Sequence, residues 1–272
     1  MLLANSGGPP LAGIIVNAST YWPDLAANTN GWNQLVAAAR DSGLRNIPDP
    51  TPSAGAPLER PADGLIEHTK PRSTEGAKLI IELSTRLALS SRPVVVVTGS
   101  RLTDVANAYL LDQTVADRVV VVSALGSSSG AGGGLMGWPN GELDHWAAWI
   151  VGQRFRYVQV NGYYEQKGDV TAAKAGNLPD NPFGAWMAAK LPGLLTIAMS
   201  SDQVGVLAVG VPTFVTSVGR AAIDATADFD GTSAPPLVMQ PGGAVWLAPA
   251  CDGALAGERL WQMLSDPRTF AP

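Results

Sequence analysis

Along the chain, short apolar runs without alternation trade places with segments of helical period. Leu11 to Asn17 is a β-branched run that ends on a polar residue, as a buried strand does. Asp24 can cap a helix running to about Arg40, with Leu25, Trp32, Leu35, Val36 and Ala39 near helical spacing and Gly43 as its stop. Ser73-Thr-Glu-Gly caps a second helix, where Leu79, Ile80, Leu83, Leu87 and Ala88 share one face. Pro93 to Ser100 and Arg118 to Gly126 are valine-rich strands, the latter apolar on both faces, and Leu102 to Leu111 is a short helix between them. Further on come a helix over 142–151, a strand over 156–160 and a helix over 182–190. An apolar segment spans 194–199, and Ser201-Asp202 caps a helix expected to run towards Ser217. A tail from Ala221 ends in a helix near 257–264.

Strand and helix alternate through connections too long for hairpins. The pattern predicts α/β architecture: a mainly parallel, doubly wound sheet with helices on both faces. Residues 46–72 carry Pro48, Pro50, Pro52, Pro57, Pro61 and Pro71 without a convincing period, and read as a long loop rather than a core element. With no internal repeat or domain break, residues 1–272 read as one domain. Ligands bind such sheets at the carboxyl ends of the strands. The polar residues to watch are therefore Asn17, Thr98 to Ser100, the loop from Gly126 and Asp202.

Composition narrows the chemistry. The 272 residues are 46% hydrophobic and only 15% charged, with net charge −5 and pI near 5.0. An acidic chain without a basic face argues against nucleic-acid binding. One cysteine, Cys251, excludes an intrachain disulfide, and two histidines leave little for a His-based metal site. No run of about 18 apolar residues suggests a membrane span. With no leader visible either, a cytoplasmic location is the default, while a signal peptide upstream of Met1 stays open.

Several constellations compete. Gly126-Ser-Ser-Ser-Gly130 matches G-x-S-x-G with Ser128 as nucleophile, but a glycine run follows where a helix should start. A serine hydrolase is the third-ranked reading. The same run lacks the Lys-Ser/Thr of a P-loop. Asp224, Asp228 and Asp230 fail EF-hand spacing and read as a solvated turn. The eight tryptophans are mostly core packing. Asn140, Glu142 and Asp144 gather acceptors ahead of a helix; Asp144 alone is a cap, whereas Asn140 and Glu142 have no such local duty. Carboxylate with amide suits a hydroxyl-rich ligand.

Taken in order, these residues resemble the nucleoside hydrolases, a superfamily of metal-dependent N-ribosyl hydrolases. Leu11-Ala-Gly-Ile-Ile-Val-Asn17 looks like the family's second strand. Thr98-Gly-Ser-Arg-Leu-Thr-Asp-Val-Ala-Asn-Ala108 is similar to its "TGPLTNVA" segment. The strand over 119–126 stands where a backbone carbonyl ligates calcium, which points to Gly126. Asn140-Gly-Glu-Leu-Asp144 is similar to a shortened "EFN…DPEAA" stretch, and Asp202 falls at the late metal-binding Asp. The resemblance implies a small ribosyl substrate held by Asn17, Asn140, Glu142 and Asp144, and calcium held by Asp202 and the Gly126 carbonyl. It also implies a water attacking the anomeric carbon under a carboxylate general base. Inosine and uridine are the substrate types the family's name suggests. A homo-oligomer is left open.

Two departures bear on activity. No histidine precedes Asp202, and the family's "DxDxxxDD" cluster on its first strand has no counterpart here. Met1-Leu-Leu-Ala followed by Asn-Ser-Gly-Gly reads as the last turn of a helix with its stop but no start. The expectation is a chain lacking its first strand, the start of its first helix and the general base, through a misplaced start codon or an artificial truncation. Such a chain is expected to bind calcium weakly and to be impaired as a hydrolase. The competing class is a catalytically silent sugar- or nucleoside-binding protein on the same fold.

Overall fold

Ile14–Asn17 forms β1 and Pro50–Ser53 forms β2, paired in parallel from Ile14 opposite Pro50 to Asn17 opposite Ser53. The structure is a computed structural model, which describes residues 1–20, 22–123, 144–160, 176–194, 201–224, 229, 231 and 234–270. Ahead of β1, Leu2–Asn5 makes a single turn, α1, stopped at Ser6 and Gly7, with the Gly8 N–H on the Leu3 carbonyl. Between β1 and β2 runs α2, Leu25–Asp41, whose Asp24 cap accepts from the Ala27 N–H at 2.9 Å. Gly43 ends it at φ +94, where a Cβ would collide with the Phe270 carbonyl.

The strand β2 corrects the reading of residues 46–72 as a loop without core elements. Pro50 and Pro52 hide it from a periodicity argument because proline cannot donate to a ladder. A strand with one free edge tolerates that loss. The same stretch buries Ser53, Leu58 and Ile66.

Among the described residues the larger sheet has six strands: β3 Val94–Thr98, β4 Val119–Ser123, β5 Arg156–Val160, β6 Val215–Ile223, β7 Leu237–Met239 and β8 Val245–Cys251. Their spatial order is β3-β4-β5-β8-β6-β7. The first three junctions are parallel, and β6 runs antiparallel to both β8 and β7. The mainly parallel, doubly wound α/β reading holds. Two expectations near the end do not. The helix from Ser201, α8, stops at Gly210, and Val215–Ile223 is strand; the presumed tail holds three strands, with β8 central to the sheet. Val206, Leu207, Val209 and Val211 suit a helix face and a buried strand equally, so local pattern cannot place the switch.

Alternation along the strands sorts side chains to opposite faces. On one face pack α3, Glu75–Leu87, α4, Thr103–Leu111, and α6, His145–Arg154. Their Ala77, Ile80, Val105, Ala108 and Ile150 meet Val119, Val121, Tyr157, Val245 and Leu247 in one core. On the other face, Leu207, Phe214 and Leu255 meet Val122, Val160 and Ala248. A third core joins Ile14 and Val16 of β1 to α2, to Phe183 of α7 (Pro182–Leu194) and to Leu264 of α9 (Gly253–Ser265). The short α5, Val115–Arg118, leads into β4, and α10, Pro267–Phe270, closes against α1 and α9. No described helix is long and apolar enough to cross a membrane.

Candidate functional site

The carboxyl ends of β1, β2 and β3 meet the first turns of α3, α4 and α6 at one edge. Asn17 closes β1, and its Oδ1 accepts from the Ser100 hydroxyl at 2.8 Å. Ser100 is fixed in turn, because its N–H donates to Thr98 Oγ1 at 3.2 Å and its carbonyl accepts from the same hydroxyl at 2.8 Å. The Asn17 carbonyl takes the Asn28 side-chain amide of α2.

Beside it lies a buried polar network. Asp104, in the first turn of α4, is 5% exposed, and its Oδ1 accepts from the hydroxyls of Ser53 and Thr74, each at 2.7 Å. Ser53 also accepts the Gly76 N–H at 3.0 Å, and Thr74 caps α3 through the Ala77 N–H. Asp144 is 2% exposed and caps α6, as its place in the sequence predicts. Its Oδ1 accepts from the Ala147 N–H at 3.0 Å; its Oδ2 accepts from the Leu58 N–H at 3.0 Å and the Thr103 hydroxyl at 2.6 Å. Burial pushes the Asp144 carboxyl above its ordinary range, and these donors with the nearby Arg101 charge only partly offset that. Arg101 itself donates to the Gly55 carbonyl, while its buried Nε has no partner. Desolvation lowers its pKa despite Asp144 and Asp104 close by.

Of the residues singled out from sequence, Asn17, Thr98, Ser100 and Asp144 reach this edge. Asp202 is the second residue of α8, and its side chain lies outside the described residues, as do Asn140, Glu142, Gly126 and Ser128. The network of Ser53, Thr74, Arg101, Thr103 and Asp104 was not picked out as a unit. One signal was available: Thr103, Asp104 and Asn107 are polar residues on an otherwise apolar helix, all three buried.

No family model and no curated protein sequence matches the chain. Solved structures do. An inosine-guanosine nucleoside hydrolase superposes with TM-score 0.67 at 15% identity, over 97% of this chain and 93% of its own. The chain has the nucleoside hydrolase fold. An inosine-uridine preferring nucleoside hydrolase from Bacillus anthracis matches with TM-score 0.63 at 12% identity, over 99% of this chain and 94% of its own. A purine-preferring ribonucleoside hydrolase from Gardnerella vaginalis matches with TM-score 0.57 at 14% identity, over 96% and 100%. At such identities the likeness of this nucleoside hydrolase fold extends across the chain, not to its chemistry.

Calcium is a hard cation that takes six to eight oxygen ligands. Among the described residues no three His, Cys, Asp or Glu side chains converge into a metal-holding group. Asp104 and Asp144 direct their oxygens at hydroxyls and backbone N–H groups. The described carboxylates therefore form no cation site among themselves, and Asp202 and Gly126 lie outside the residues compared.

Proposed function

We propose that the chain binds a small ribosyl compound at the carboxyl edge of β1 and β3, in an N-ribosyl hydrolase type of site, and turns it over little or not at all. The observation that carries this is Asn17: an amide held at a strand's carboxyl end by Ser100, on a fold shared with several nucleoside hydrolases. In this reading Asn17 donates to a ribose hydroxyl, with Asn140 and Glu142, which precede α6 in the sequence, gripping the others. Asp144 acts as a positioning residue, anchoring the start of α6 to Thr103 of α4 and to the Leu58 N–H. Asp202, the Gly126 carbonyl and calcium stay with the hydrolase form of the proposal. Hydrolysis needs a general base and an activated water, and no described carboxylate at this edge is free of structural partners.

Isothermal titration of the 272-residue chain with inosine, uridine and free ribose, with and without calcium, tests the reading. Binding of nucleosides with negligible base release, measured by chromatography, is the expected result. A site that hydrogen-bonds the ribose hydroxyls should reject the 2′-deoxy compounds. Calcium-independent binding favours the silent binder on the same fold. Calcium-dependent release of base would overturn the impairment, and no binding of any ribosyl compound would overturn the site.

A further inference from the structure

We propose that the ribosyl compound taken at this edge carries a phosphate, and that Arg101 receives it. The inference rests on the ribosyl reading of the Asn17 edge and names the ligand class within it. That class is ribosyl phosphates, nucleoside 5′-monophosphates among them, in preference to neutral nucleosides.

Arg101 directly follows Ser100, whose hydroxyl donates to Asn17 Oδ1 at 2.8 Å. Neighbouring residues thus supply a contact to the sugar end of the site and a positive charge beside it. In a ribosyl 5′-phosphate only a carbon and an oxygen separate the phosphorus from the sugar ring. Sugar and phosphate therefore need partners at the same short range.

The guanidinium is held in place but barely used. Its Nη2 donates to the Gly55 carbonyl, two residues past β2, and this is its one described bond. Gly55 is pressed against the starts of α3 and α4, where a Cβ would stand 3.3 Å from the Thr74 methyl and 3.4 Å from the Thr103 methyl. A fixed acceptor fixes Arg101 in turn. The Nε is buried with no partner. A buried donor without an acceptor destabilises the fold, and such groups are rare unless something else requires them.

No described carboxylate pairs with this arginine. Asp104 and Asp144 act on it through their charge alone, since their bonds go to the Ser53, Thr74 and Thr103 hydroxyls and to backbone N–H groups. Arg118 and Arg154, with side chains 26% and 36% exposed, instead hold Asp112 and Glu67 at 2.7 Å and 2.5 Å. A partly buried guanidinium without a counter-ion suits an oxyanion from outside, because its planar set of N–H donors matches phosphate oxygens. The chain's net charge of −5 repels anions at long range, so any phosphate preference here has to come from a local cation.

The test is isothermal titration of the full 272-residue chain with inosine, inosine 5′-monophosphate and inorganic phosphate, repeated on Arg101→Gln and Arg101→Lys. The wild-type chain should bind the monophosphate about tenfold or more tightly than inosine, as a charge-assisted bond demands. Arg101→Gln should weaken the monophosphate about tenfold and inosine much less. Arg101→Lys keeps the charge on another donor geometry and should retain part of the preference. The wild-type comparison decides even where a variant fails to fold. Equal affinity for inosine and its monophosphate would overturn the role of Arg101 and leave the ribosyl reading standing. So would a preference that survives Arg101→Gln, or an equal loss of both ligands in that variant, the mark of a purely structural arginine. Inorganic phosphate binding as tightly as the monophosphate would overturn the ribosyl phosphate as the ligand class. Binding of neither inosine nor its monophosphate would overturn the ribosyl reading itself, and this inference with it.

Discussion

The Thr103 hydroxyl donates to Asp144 Oδ2 across 2.6 Å, joining the first turn of α4 to the cap of α6. The two residues lie 41 positions apart, and the bond is fully buried. Thr103→Val keeps the shape and removes the donor. Hydrogen bonds to charged groups contribute about 1.5–3 kcal/mol, so urea unfolding should show a loss of about 2 kcal/mol. A loss below about 0.5 kcal/mol would mean the bond holds nothing together.

Asp144 also sets a pH dependence. Its folded pKa is raised above the unfolded value, so the folded state binds the proton more tightly. The associated stability is fully present below the unfolded carboxylate pKa of about 4 and is lost as pH rises through the raised folded pKa. Asp144→Asn removes the titration. It also leaves one of the Leu58 and Ala147 N–H groups without an acceptor, at a cost of about 1–3 kcal/mol. Urea unfolding from about pH 4 to about pH 8 should show the stability gap between wild type and variant narrowing as pH rises. A gap that widens would reverse the assigned direction.

Asn17→Ala should weaken nucleoside binding about tenfold or more by titration calorimetry, since a ligand hydroxyl loses its donor. The side chain makes a single described contact through its amide, to Ser100, so the unfolding midpoint should move little. Unchanged affinity would remove Asn17 from the binding site.

Gly76→Ala tests how tightly the edge is assembled. A Cβ at Gly76 would stand 2.7 Å from the Asp104 carboxyl carbon and 2.9 Å from the Ile15 side chain. The first turn of α3 is thus pressed against both β1 and α4, and overpacking there should destabilise by about 1–3 kcal/mol. A neutral or stabilising outcome, the usual result for Gly→Ala in a helix, would show that this contact yields.

Much of the frame was legible locally. Asp24, Thr74 and Asp144 announce the starts of α2, α3 and α6 because a cap acts within three residues of itself. The runs 94–98, 119–123 and 156–160 announce β3, β4 and β5 because valine and tyrosine concentrate in strands. β2 escaped because its prolines contradict strand propensity, which an edge position overrides. β6 and β8 escaped because their partners lie far away in sequence.

The candidate site divides along the same line. Asn17 can be read from sequence, since a polar residue ending an apolar run stands at a strand's carboxyl end. The network around Asp104 and Asp144 cannot, since Ser53, Thr74, Thr103 and Leu58 converge only after three helices dock on two sheets. Sequence by itself determined an α/β chain, its helix starts and a polar residue at the end of β1. Tertiary structure alone decided the split between β1 and β3 and which carboxylates are committed to holding it together. The reason is physical: capping and periodicity are local, whereas strand order, burial and a carboxylate's partners are set by contacts between distant segments.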